Sequence, residues 1–422
     1  TLNQFGLTFE SLDDFHPDEL LKAEIFAELV NLRARLSSPT TFPAAAQELR
    51  DLSGIDPAAS AVQSPSDPEP VPEDGSDTFA NLLNEDTRPV SRGDSDPIRS
   101  RVQEMLKQAT APYIEPDTDP EQAPLLAAVE ELLSARLCGV LHDPIFQSLE
   151  AGWRWLGETI QRVETDETLK LAVLPATREE LTADASGLDG DITNAQLYDT
   201  LITRGVGVVG ADPWTYVVAD FQFDNTDESI NLLSYLAALA KSAGAQLITG
   251  GTHALAGCAK INDLNASERW EGEDAESLAS WQTLRDSGLA QHVYAAAPRI
   301  LTRYPYSPKL NPVSAFKFDE QSSGTDACLW ANAAYICAIA VAEAYVDSGW
   351  NMNTAAPATI GDLPTWQIDR DGSAVAQPTT EVSLGETAAA ALINRGLTPV
   401  CHVQGTNAAR MLGLHSALNL RR

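Results

Sequence analysis

The sequence predicts an α/β (α+β) protein: a mixed sheet core with flanking helices, preceded by an N-terminal helical region and a disordered linker. Three observations carry that expectation. From residue 169 onward, short runs rich in β-branched residues alternate with segments of helical period. Residues 17–36 and 96–163 instead repeat their apolar positions at helical spacing. Residues 53–93, which include SPSDPEPVPEDGSD, carry too few aliphatics to repay the entropy of ordering and read as a flexible linker. The expected divisions are therefore 1–52 (helical), 53–93 (linker), 94–166 (helical) and 167–422 (α/β core).

The elements follow in order. Pro17 suits the first turn of a helix, where a missing N–H costs little, and Leu21, Ile25, Leu29, Leu32 and Leu36 give it one apolar face. Asp96-Pro97 starts a short helix with Ile98, Val102, Met105 and Leu106 on one side. A second helix after Asp119-Pro120 carries Leu125, Val129, Leu132, Leu133, Leu137 and Leu141. A third after Asp143-Pro144 carries Phe146, Leu149, Trp153, Leu156, Ile160 and Val163.

Strands are expected at 169–175 (LKLAVLP), at 215–223 as a buried strand, and at 246–250; helices fall at 194–203 and 227–243. Strand, helix, strand in that order implies a right-handed crossover. Residues 281–306 read as a helix, a small-residue strand and an Arg-rich, proline-broken turn. Residues 329–350 are apolar almost all round, the pattern of a helix buried on every side. Asp371-Gly372 marks a hairpin turn, and 396–413 a strand followed by a short helix. Trp153, Trp281, Trp330 and Trp350 are candidate core anchors. Arg299 and Arg303 would share a strand face and meet carboxylates within the fold or across a subunit contact.

Composition excludes several functions. Sixty acidic residues against 28 basic ones leave a net charge of −32, which repels nucleic acid and anionic lipid. The five cysteines are scattered without C-x-x-C spacing, as reduced thiols of a cytoplasmic protein are. Cys328 and Cys337, nine positions apart on one expected helix, would face opposite sides. No signal peptide and no uncharged apolar run of about 18 residues is present, so no membrane insertion is expected. The chain opens on Thr1 rather than Met, and residues before it are expected.

Catalytic and cofactor motifs are weak. Gly205, Gly207 and Gly210 match G-x-G-x-x-G, but an expected helix precedes them and Pro213 follows, so an apolar turn is the better reading. No phosphate-binding G-x-x-x-x-G-K-[ST] loop exists. Cys401 and His402 are neighbours on a strand and point apart. His253 sits in a glycine-rich loop, Asp319-Glu320 follows a strand-like run, and the six histidines lack metal-ligand spacing. No catalytic, metal or cofactor residue is expected.

Several ordered motifs are more specific. They are HDPIFQSLEAGWRWL (142–156), VVADFQF (217–223), Trp281-x-x-x-Arg285, Pro298-Arg299-x-Leu301-x-Arg303-x-Pro305-Tyr306, Leu329-Trp330-x-Asn332-Ala333-Ala334-Tyr335, and Gly349-Trp350. PTTEVSLGETAAAALINRGLTPVCHVQGTNAARMLG closes the series. Together, over about 94–416, they resemble the large subunit of the contractile sheath of type VI secretion systems. LTFESLDDFHPD and the helix after it resemble the C-terminal part of the small sheath subunit, which implies a fusion.

The resemblance implies a structural protomer, not an enzyme. It would polymerise with other sheath subunits around an inner-tube protein on a baseplate and contract to drive the tube outward. It further implies recycling by a hexameric AAA+ disassembly ATPase that engages an N-terminal helix, by position 96–107, with Ile98, Val102, Met105 and Leu106 as its candidate contacts. The match departs from the family at 353–364, where NTAAPATIGDLP keeps only Gly361 and Leu363-Pro364 of a glycine-rich loop. The small subunit's β-rich half and the family's terminal exchange strands have no counterpart in the sequence. Two other classes stay open on the residues alone: a non-polymerising sheath-like adaptor, cap or regulator, and an α/β enzyme if His253, His402 and an acid converge.

Overall fold

A computed structural model describes residues 5–53, 121–188, 190–309, 311–320, 328–370 and 373–419. Almost all of the expected linker, and the expected helix bearing Ile98, Val102, Met105 and Leu106, lie outside the described residues. The chain forms two compact units, Thr1–Gln147 with Tyr306–Ala327, and Ser148–Pro305 with Cys328–Arg422.

The first unit is helical. Pro17 does open a helix, but only for one turn (Pro17–Leu20), and a new helix runs over Glu24–Ser37. Helices Phe42–Ser53 and Gln122–Leu141 follow among the described residues. Phe26, Leu32 and Leu36 form the buried side of Glu24–Ser37, so Phe26 takes the place expected of Ile25.

The second unit is built on a six-stranded mixed sheet. Strands β1 (Tyr216–Phe223), β2 (Gln246–Gly251), β3 (Val293–Ala297), β4 (Ile300–Leu301), β5 (Trp330–Ala331) and β6 (Ala358–Ile360) come first along the chain. They are followed by β7 (Gln367–Arg370), β8 (Ser373–Ala376), β9 (Leu397–Val403) and β10 (Ala408–Met411). The large sheet has the order β1-β2-β3-β9-β10-β6. Its first four strands pair in parallel, while β9–β10 and β10–β6 are antiparallel. Strands β4–β5 and β7–β8 form separate antiparallel pairs.

Successive side chains on a strand face opposite ways, so Leu247 and Ala295 enter one core while Ile248 and Ala296 enter another. The first core is closed by helix Asp227–Ser242 with Trp281 and Leu392; the second is closed by helix Ala334–Ser348 with Trp155. Helix Ala334–Ser348 is buried through its first two turns, but Val346 near its end is exposed, so the all-round burial read from its composition stops there.

Three expected elements differ. Residues 169–175 form no strand, and Leu171, Val173 and Leu174 are exposed. An alternating apolar run becomes a strand only where another strand is there to pair with it. Residues 408–411 are strand β10 rather than a helix, because Gly405, at φ 74°, turns the chain back onto β9. Strand β1, expected to be buried, is the sheet edge, and Val218 is exposed on it.

The β1–β2 register slips between Ala219 and Gln222, which leaves β1 carbonyls out of the ladder. The Thr249 hydroxyl donates to the Ala219 and Phe221 carbonyls at 3.0 and 3.1 Å, and the Asn332 amide donates to Phe221 at 3.0 Å. This arrangement leaves no room beside Gly250, where a Cβ would come 2.6 Å from Asn332 Oδ1. Gly250→Ala should therefore destabilise the chain by about 1–3 kcal/mol, the usual cost of overpacking, measured by urea denaturation.

Candidate functional site

The sequence offers its residues of greatest interest around 281–306, and the structure shows what they hold. Glu150 is fully buried on helix Pro144–Arg162. Its Oε1 accepts from Arg303 Nε at 2.9 Å and from Arg154 Nε, one turn along the same helix, at 2.8 Å. Arg303 is itself only 5% exposed. Nearby, Trp155 Nε1 donates to Thr302 Oγ1 at 3.1 Å, so helix and turn are pinned at two adjacent points. Arg299 grips Glu381 with two parallel bonds of 2.8 and 2.6 Å, the fork geometry that arginine offers a carboxylate. Arg299 and Arg303 thus meet carboxylates within the fold, on two different segments.

Trp281 and Arg285 hold a second junction. Trp281 is fully buried, and its Nε1 donates to the Arg395 carbonyl at 3.0 Å. Arg285, also buried, donates to the Asn394 carbonyl at 2.7 Å and to the Ala417 carbonyl at 3.1 Å. Asn394 ends helix Glu386–Asn394, so this cation sits at the negative end of a helix dipole. Gly396, at φ 80°, follows immediately, and a Cβ there would meet Arg285 Nε at 2.8 Å.

The other tryptophans divide. Trp330 is half-buried against Leu301, Cys328 and Trp366. Trp153 and Trp350 are not core anchors: they are 49% and 71% exposed. On helix Pro144–Arg162 the buried line is Phe146, Glu150, Ala151, Trp155 and Thr159, continued by Val163 just past its end. Trp153, two positions from Trp155, lies roughly 200° round the helix from it. Trp350 stands on the short turn after helix Ala334–Ser348 and meets the Tyr345 ring edge-on, at 5.4 Å between centroids.

The chemical candidates are engaged otherwise. His402 Nδ1 accepts from the Thr379 backbone N–H at 3.2 Å, which leaves the proton on Nε2, and burial lowers its pKa. His253 lies in the short turn His253–Ala256. Asp319 is exposed, whereas Glu320 is fully buried, bound to His142 at 3.3 Å and to the Tyr306 N–H at 2.8 Å. Gly205, Gly207 and Gly210 fall in and after a wide helical turn at Asp199–Val206 rather than after a strand. Burial pushes the Cys337 thiol up to about 12; burial and the Glu320 charge push Cys138 to about 12. Cys401 rises to about 11 through burial, against the opposing pull of Arg410. Thiols held protonated in this way are poor nucleophiles. Among the described residues, no group of three or more His, Cys, Asp or Glu is placed to hold a metal ion.

The family model described as VipB: EvpB/VC_A0108, tail sheath N-terminal domain, matches residues 124–418. The chain belongs to this tail sheath family. It is also similar to the type VI secretion system sheath protein TssC1 of Pseudomonas aeruginosa, at 27% identity over 349 residues, covering 80% of this chain and 70% of that protein. The family match takes in the ten strands found among the described residues, Glu150 with its arginines, and the Trp281–Arg285 junction; residues 5–53 fall outside it.

Two outcomes follow from these environments. Glu150→Ala should cost about 3–5 kcal/mol because it removes the buried carboxylate that two arginines share, whereas Arg154→Ala, which removes a partly exposed cation and leaves Glu150 paired with Arg303, should cost about 1 kcal/mol or less in the same urea titration. Cys337 should resist iodoacetamide at pH 8 in the native chain and react fully once unfolded, as read by mass spectrometry.

Proposed function

We propose that this chain is a structural protomer of a type VI secretion sheath, polymerising with other sheath subunits around an inner-tube protein and contracting to drive it outward. The observation that carries this reading is the sheath family match over residues 124–418, with the sheath protein TssC1 as a relative across most of the chain. The buried ion pairs and carbonyl clamps of the α/β unit are consistent with it, since a contracting polymer needs subunits that transmit force without unfolding.

The finer features rest on the sequence motifs. Residues 1–52 supply a segment like the small sheath subunit, fused ahead of the large-subunit-like part. Attachment to a baseplate and recycling by an AAA+ ATPase complete the proposed partners, with Ile98, Val102, Met105 and Leu106 as the ATPase handle. The setting is cytoplasmic, and no helix among the described residues is long and apolar enough to cross a membrane. No catalytic step is assigned to the chain.

Negative-stain microscopy of the product of the complete gene, expressed with its inner-tube protein, tests the reading. Tubes or stacked rings are expected. Uniform single particles would contradict polymerisation and favour a sheath-like adaptor. For the handle, Val102→Ala with Met105→Ala should abolish ATPase binding in pull-down while leaving tubes intact; unchanged binding would overturn that assignment.

A further inference from the structure

Helix Gln122–Leu141 buries Leu133, Leu137 and Leu141 completely, and helix Glu24–Ser37 packs along it. The family match begins at residue 124, so the helix belongs to the sheath domain while its cover, residues 5–53, does not. Without that cover the domain would present an apolar helix face to water.

The fit goes beyond apolar contact. The rings of Phe9 and Phe15 stack at 4.3 Å, and each meets Phe146 edge-on, at 5.9 and 5.7 Å. Both Asp18 carboxylate oxygens accept the Ser314 N–H at 3.0 Å, and Oδ1 also accepts the Ala315 N–H at 3.1 Å. The Arg33 guanidinium pairs with Glu130 at 2.7 Å and lies 6.0 Å from the Phe316 ring centroid. Gln122 Nε2 donates to the Leu36 carbonyl at 2.7 Å, and Arg50 pairs with Glu121. Aromatic, anionic and cationic groups of one segment therefore each find a complementary group on the other side.

We infer that residues 5–53 are a docked module, held by non-covalent contacts in a seat formed by helix Gln122–Leu141, Phe146 and residues 306–320 of the same chain. The module fills in cis a surface that a sheath domain lacking it must cover with a second polypeptide, so no separate chain is needed there. This deepens the proposed fusion, but it stands on contacts that are independent of polymerisation.

The test uses the full chain carrying a C-terminal affinity tag and a protease site inserted at residue 75. After cleavage on the resin, the N-terminal fragment should stay bound through native washing. Asp18→Ala with Arg33→Ala should release it about tenfold faster or more, since two charge-assisted contacts are lost, with the emission of the buried Trp281 unchanged. A wild-type fragment that washes away overturns the docking and leaves the sheath family assignment untouched. Equal retention in wild type and variant overturns this seat. Tagged light chains mixed in dilute solution with untagged heavy-isotope chains before cleavage should retain only light fragments. Heavy and light fragments in equal share would place the module on a second copy and overturn the cis assignment.

Discussion

A carboxylate removed from water has to be met by positive charge, and Glu150 is met twice, by Arg303 at 2.9 Å and Arg154 at 2.8 Å. That requirement fixes the rotation of helix Pro144–Arg162, since only one phase places Glu150 inward. With the phase set, Trp155 reaches Thr302 and stacks on Tyr335 at 6.0 Å between ring centroids. Tyr335 stands on helix Ala334–Ser348, which covers one face of the sheet, so a single buried charge aligns three segments of the α/β unit. The pair gives orientation more than net stability: two well-packed apolar residues would hold the same place at similar cost, but in many arrangements.

Arginine recurs as the fastener. Arg285 ties helix Glu386–Asn394 and the chain near Ala417 to one point, and Arg299 ties the β3–β4 turn to Glu381. Each guanidinium offers several donors in a rigid plane, which suits joining carbonyls and carboxylates from separate segments. In a chain of net charge −32, burying Arg285 and Arg303 commits part of the positive charge to holding the fold.

The sequence made the α/β core legible because strands β2, β3 and β9 are buried on both faces and read as apolar runs. Trp281 and Arg285 were visible as a spaced pair. The line of burial on helix Pro144–Arg162 was not, because hydrophobic periodicity skips Glu150 and Thr159 and is drawn instead to Trp153 and Ile160, both exposed. Only knowledge of a buried arginine could have corrected that phase. Strand β10 was read as helix because Ala408, Ala409, Arg410 and Met411 are good helix formers; pairing with β9 and β6 overrides their preference. The exposed run at Leu171–Leu174 shows the converse, strand-like residues without a pairing edge.

A double-mutant cycle at Glu150 and Arg303, with each residue replaced by Met singly and together, tests the central constraint most directly. If one buried charge orients the helix, each single variant loses several kcal/mol while the double variant loses about 2–3 kcal/mol less than the sum of the two. Losses that simply add, to within about 0.5 kcal/mol, would show that the two residues act independently and that something else sets the phase of the helix.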